Sequence, residues 1–99
     1  MENVADSVGA EMNALVSRGA PRDFVAVKAI VDAGIASGGA CWAFWQRKNP
    51  SASIMFGKMA VQHNLAALMA RVPLEHIPED RRDDARALRT WFREVFAAP

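Results

Sequence analysis

Apolar residues recur at intervals of three and four along most of the chain, and this spacing is what most constrains its fold. Four stretches carry the pattern, residues 3–18, 21–48, 51–72 and 79–97, and glycine or proline punctuates the chain between them. Such spacing gathers apolar side chains on one face of an α-helix, whereas a β-strand needs alternation. We therefore predict an all-α fold, a compact four-helix bundle or array built by one domain of residues 1–99.

The second stretch predicts a long helix. Its apolar positions keep one helical phase from Phe24 through Ile35 to Trp45, and Gly38 takes the place of one member of the series. Glycine in a helix interior costs about 1 kcal/mol relative to alanine, so we expect a kink near residues 37–39. The pattern leaves open whether the helix is continuous or broken there.

Small residues dominate the middle of this stretch. Seven of residues 33–40 are Gly, Ala or Ser, and Trp42 and Trp45 follow them. Small side chains let a second backbone approach closely, and aromatic rings supply contact area. The Gly34 and Gly38 pair leaves a shallow notch, so we expect a close helix crossing there, inside the fold or between two copies of the chain.

The third stretch carries two apolar faces. One consists of Ile54, Val61, Leu65, Leu68 and Val72, and the other of Phe56, Met59, Ala60, His63 and Ala67. A helix of this kind is central in its domain, or packs on the core with one face and on a partner with the other. A chain of 99 residues has a limited interior, which favours a partner. We predict a homodimer or larger complex with these contact residues: Gly34, Gly38, Trp42, Trp45, Phe56 and Met59.

Arginines form a row along the last stretch. Arg82 and Arg86 have acidic neighbours three residues away, but Arg89 and Arg93 have none at three or four residues on either side. Such a row is typical of a solvated helix face, or of a site for phosphate or for an acidic protein patch. The candidate partner-binding residues are Arg82, Arg86, Arg89, Arg93 and Phe96.

No pattern in the chain predicts catalysis, a cofactor or a metal site. Cys41 has no basic residue close by in sequence to lower its pKa, and neither histidine accompanies a nucleophile motif. Met55, Met59 and His63 are spaced four apart and could ligate Cu(I), but methionine at this spacing is typical of adaptable core packing. We expect a protein that is not an enzyme and binds neither cofactor nor metal.

Charge and composition further limit the classes of partner and the cellular location that the sequence predicts. The chain has 12 basic and 11 acidic residues, a balance that disfavours a general nucleic-acid binder. The acidic N-terminus lacks the pattern of a signal peptide, and the single Cys41 suggests a reducing compartment, so the predicted location is the cytoplasm. Residues 24–45 are long enough to span a bilayer but contain Lys28 and Asp32, which makes a membrane span costly.

A small size and many apolar and aromatic contact residues are typical of adaptors, of assembly subunits, and of mobile-element proteins that inhibit a larger complex. We predict a self-associating, non-enzymatic protein-interaction module of this kind. The first alternative is a binder of an anionic surface, a nucleic-acid backbone or an acidic protein patch, through the arginine row. The second is a membrane-associated helical protein that uses residues 24–45.

Overall fold

All the regular structure in the computed structural model, which describes residues 3–99, is helical. The predicted all-α compact array is confirmed over this range; residues 1 and 2 of the predicted domain lie outside it. The α-helices are α1 (Val4–Ser17), α2 (Pro21–Asp32), α3 (Gly38–Lys48), α4 (Ile54–Arg71) and α5 (Glu79–Trp91). A 3-10 turn (Leu74–His76) precedes α5, and a π turn (Phe92–Phe96) extends it.

The predicted long second helix is two helices, which corrects the expectation of a single kinked one. Gly34 adopts a φ of 73°, and the Ile35 N–H donates to the Ile30 carbonyl at 3.1 Å, the hydrogen bond that closes a Schellman helix end. After a short connection, the Ser37 hydroxyl accepts a hydrogen bond from the Ala40 N–H at 3.1 Å and begins α3. The break therefore comes from a local stop signal and a local start signal.

Similar local signals set other helix ends. Gly19 follows α1 with a φ of 62°, as expected of the residue after a helix C-terminus. The Asn3 side chain accepts from the Asp6 N–H at 2.8 Å and begins α1. The Ser53 hydroxyl accepts from the Phe56 N–H at 3.1 Å, so Ser53 is the N-cap of α4.

Helix α1 lies among the others and contacts α2, α3 and α4. Helix α2 also contacts α5, and α4 contacts the π turn, so the C-terminal end of the chain folds back onto the array. The larger side chains of the common core are Val8, Met12, Leu15, Phe24, Val27, Cys41, Trp42, Trp45, Val61, Leu65, Leu68, Phe92 and Phe96.

Two aromatic side chains approach a helix backbone closely at Gly57 in α4. A Cβ atom added at Gly57 would lie 2.7 Å from the Trp42 ring and 2.9 Å from the Trp45 ring. Both tryptophans belong to α3 and are buried. Gly57 therefore lets two large rings pack directly on the α4 backbone.

The predicted notch at Gly34 and Gly38 does not form such a crossing. A Cβ added at Gly34 would meet no atom within 4 Å. One added at Gly38 would lie 3.6 Å from the Phe96 ring, which is ordinary van der Waals contact. Gly34 ends a helix because its backbone adopts a positive φ, and Gly38 begins one. The expectation of a close helix crossing through these two glycines inside the fold is therefore corrected, whereas a contact between two copies stays a prediction.

A buried carboxylate fixes the connection between α1 and α2. Asp23 is 1% exposed and accepts hydrogen bonds from Arg18 Nε at 3.1 Å, Arg18 Nη2 at 2.9 Å and the Ala20 N–H at 2.9 Å. The hydrogen bonds from Arg18 hold the pKa of Asp23 below its usual value. Partial burial, together with the nearby Asp23 charge, raises the pKa of Glu11.

Glu11→Gln is therefore expected to raise the melting temperature slightly at pH 7. Ionised Glu11 is less favourable in the folded chain than in the unfolded chain, because its folded-state pKa is raised. That cost is present above the folded-state pKa and disappears below the ordinary value of 4.5, where the wild-type side chain is protonated in both states. Thermal unfolding of both proteins at pH 7 and at pH 4 measures the difference, and an equal gain at the two pH values would contradict this account.

Candidate interaction surface

One face of α4 contains no Asp, Glu, Lys or Arg and is turned towards solvent. We call it the outer α4 face, and it consists of Met55, Phe56, Met59, Ala60, His63, Ala66, Ala67 and Ala70. Met55, Phe56 and Met59 are 51%, 61% and 64% exposed, whereas the opposite side of the helix is buried in the core. Helix α4 therefore buries one apolar face and exposes another, in agreement with the two faces predicted from the sequence.

The outer α4 face continues onto neighbouring elements at both edges. On one side, Phe56 and Ala60 line a groove with Val16 of α1, and Trp45 contributes to the same groove. On the other side, Met55 and Met59 line a shallow depression together with Ala97 and Pro99 near the C-terminus, and the polar Lys58 and Gln62 form the rest of its wall. The exposed apolar area is therefore wider than the helix itself.

Of the six residues predicted to mediate self-association, the structure places two on this face, Phe56 and Met59. Trp42 and Trp45 are 4% and 2% exposed and belong to the core of their own chain. Gly34 and Gly38 lie at the ends of the connection between α2 and α3. The six residues do not form one surface, because a small protein needs its largest apolar side chains for its own interior.

The four arginines of the predicted row also have different environments in the structure. Arg82 donates to the Leu74 and Ile77 carbonyls, both at 3.0 Å, and so holds the connection that precedes α5 rather than pairing with Glu79. Arg86 forms the expected ion pair with Asp83 at 2.7 Å. Both residues of that pair are exposed.

Arg93 and Phe96 also differ from one another in position. Arg93 is exposed, with Nη2 at 3.7 Å from Glu94. Phe96 is 4% exposed, so its ring lies in the core and not beside an outward-facing arginine. Phe96 therefore offers no side-chain surface to a partner in this fold.

Arg89 shows the largest difference from its predicted position. Expected to face outward, it is 7% exposed, and its Nη2 donates to the Val72 carbonyl at 2.7 Å. Val72 caps α4, where backbone carbonyls lack helical partners and the helix dipole attracts a cation. The predicted exposed row of four arginines is therefore corrected: two of them bind backbone carbonyls of the same chain.

The described residues include no group of three or more His, Cys, Asp or Glu side chains arranged to hold a metal ion. Met55, Met59 and His63 all lie on the outer α4 face. Cys41 is fully buried, and burial raises the pKa of its thiol, which disfavours the reactive thiolate.

The stretch weighed as a membrane span, residues 24–45, is divided between α2 and α3 by the break after Asp32. Over residues 3–99, no helix combines the length and the apolar character needed to cross a bilayer.

Comparison of the chain with protein-family models, with curated proteins and with solved structures gives no match in any of the three. Within the described residues, the outer α4 face stands out because it carries three strongly exposed apolar side chains and no Asp, Glu, Lys or Arg.

Proposed function

We propose that the protein is a non-enzymatic helical interaction module that self-associates through the outer α4 face. The supporting observation is that Met55, Phe56 and Met59, each more than half exposed, share one face that contains no Asp, Glu, Lys or Arg. Contiguous exposed apolar patches on small proteins mark interaction sites more often than chance. Adaptors, assembly subunits and inhibitors of larger complexes are the kinds of protein that use such modules.

A two-fold symmetric pairing of the outer α4 face with itself suits its chemistry. In such a dimer the same patch contacts its own copy, so a patch rich in charges of one sign would repel itself. The outer α4 face contains no Asp, Glu, Lys or Arg. Its alanines permit two helices to approach closely, and Met55 and Met59 have flexible side chains that adapt to a facing surface.

The size of the face sets the expected strength of the dimer. An α-helix of 18 residues is about 27 Å long, and its contact strip is roughly 10 Å wide. This strip is roughly 270 Å² per copy, well under the ~800 Å² per partner of a standard interface, so the neighbouring grooves have to contribute and the dimer is expected to be weak. We therefore expect a concentration-dependent dimer with a Kd on the order of micromolar.

Met59→Glu is expected to keep the protein monomeric, because the dimer would bury a carboxylate against an apolar surface. Sedimentation velocity from about 5 to 500 µM covers the expected range of affinity. Val95→Glu is the matched control, since Val95 is also 64% exposed but lies outside the outer α4 face. It should dimerise like the wild type, and circular dichroism should show the same helicity in all three proteins.

Two results would overturn the proposal. One is a wild-type protein that stays monomeric over the whole concentration range. The other is a dimer that Met59→Glu weakens no more than Val95→Glu does. In that second case the chain would self-associate through a different surface.

The anionic-surface alternative lacks comparable support. Arg82 and Arg89 donate to backbone carbonyls of their own chain, and Arg86 is paired with Asp83. Of the predicted row, only Arg93 and the ion-paired Arg86 remain to contact a phosphate or an acidic patch.

A further inference from the structure

An apolar cavity of about 180 Å³ lies between α2, α4 and α5, away from the outer α4 face. Its floor consists of buried side chains, with Phe24, Leu68 and Phe92 among them. Its rim includes the partly exposed Ala85 and Leu88 of α5. The cavity is therefore closed on the core side and open at the surface.

Arg89 is the one residue with a polar side chain in the wall of this cavity. It is 7% exposed, and Nη2 donates to the Val72 carbonyl. A guanidinium carries five N–H donors, and within residues 3–99 no other acceptor is bonded to them. No side-chain nitrogen of the described residues is sealed from solvent without a partner, so the remaining Arg89 donors face space that water or a ligand can enter.

The Arg89 charge is only partly compensated inside the chain. The C-terminus of α4 supplies a carbonyl and about half a negative charge from the helix dipole. Within residues 3–99, the ion pairs involve other basic residues, and none places a carboxylate within 4.0 Å of Arg89. An anion in the open cavity would pair with this guanidinium through its free N–H groups, and the cavity has room for one.

We propose that this cavity binds a small monocarboxylate. Its apolar body, of about six carbon atoms, would lie between Phe24, Leu68 and Phe92, since a cavity of about 150 Å³ with a similar lining holds benzene. Its carboxylate would accept hydrogen bonds from the free N–H groups of Arg89, a charge-assisted contact. This site is independent of the dimer proposed above, because it lies on the opposite, core-facing side of α4.

Benzoate, benzyl alcohol and benzylammonium are matched probes that differ in charge. In amide NMR titrations of the full chain at constant ionic strength, benzoate should give saturable shifts at Leu68, Ala85 and Leu88. Its affinity should exceed that of benzyl alcohol by about tenfold or more, as expected of one charge-assisted contact. Benzylammonium should bind more weakly than benzyl alcohol, because its cation would approach Arg89.

Ala85→Leu and Ala87→Leu form a matched pair of variants on α5. Ala85 lines the cavity, whereas Ala87 is exposed and lies outside its lining. Ala85→Leu should reduce benzoate affinity by about tenfold or more by filling the space, and Ala87→Leu should leave it unchanged. Arg89→Gln should lower benzoate affinity to that of benzyl alcohol.

The proposal is overturned if benzoate does not bind, if benzyl alcohol binds equally well, or if Ala85→Leu and Ala87→Leu bind benzoate alike. Should Arg89→Gln fail to fold, the comparison of probes on the wild type and the pair of alanine variants still decide the question. None of these outcomes depends on whether the chain dimerises through the outer α4 face.

Discussion

Trp42→Ala is expected to lower the free energy of unfolding by about 3 to 5 kcal/mol. The Trp42 ring is 4% exposed and packs 5.6 Å from the Trp45 ring and 5.4 Å from the Phe96 ring, between centroids. Its Nε1 donates to the Phe96 carbonyl at 3.0 Å, which joins α3 to the end of the chain. In a protein of this size the loss should lower the melting temperature by at least about 12 °C.

Urea and thermal unfolding followed by circular dichroism measure this change. Trp42→Phe is the informative companion, because it keeps most of the ring contact but leaves the buried Phe96 carbonyl without its donor. It should cost about 1 to 3 kcal/mol. A loss below about 1 kcal/mol for Trp42→Ala would contradict the account, since a well-packed core aromatic costs more than that to remove.

Gly57→Ala is expected to destabilise the protein by about 1 to 3 kcal/mol, although alanine is the better helix former by about 1 kcal/mol. The new methyl group would lie 2.7 Å from the Trp42 ring and 2.9 Å from the Trp45 ring. Both rings are stiff and buried, so neither can move aside without disturbing its own contacts. Chemical denaturation at equilibrium gives the difference in stability.

Gly38→Ala provides the control for Gly57→Ala. The added methyl group at Gly38 would stand 3.6 Å from the Phe96 ring, so stability should stay the same or rise. If both variants were equally stable, the close packing of the tryptophan rings on α4 would not be a feature of the protein in solution.

The helices themselves could be predicted because their signals are local. The N-cap at Ser53 and the helix end at Gly19 each depend on residues a few positions away, and the three-and-four spacing of apolar residues predicts the helices between such signals. The sequence pattern did not predict the break at Gly34, because apolar periodicity reports the spacing of residues and carries no information on the backbone conformation. Ile35 continues the phase of α2 in sequence, yet it is 54% exposed, because the chain has already left the helix.

The candidate site was predicted only in part for a related reason. Phe56 and Met59 were identified because their face follows from the spacing within one helix. The inward turn of Arg89 depends on where the last carbonyl of α4 lies relative to α5, a contact between residues 17 apart in sequence. Gly57 carried a usable signal, a glycine in phase with the buried Val61, but its tryptophan neighbours come from a different helix.

The π turn bears on how this chain could change in length. The Phe92 carbonyl accepts from the Ala97 N–H at 2.9 Å, so this turn holds one residue more than an α-turn. Without the 64% exposed Val95, Phe96 and Ala97 would become the third and fourth residues after Phe92, positions that share its helical face. Deletion of Val95 would thus convert the π turn into an α-turn and keep the rings of Phe92 and Phe96 in the core. We therefore expect proteins that descend from this sequence to gain or lose residues in this last turn.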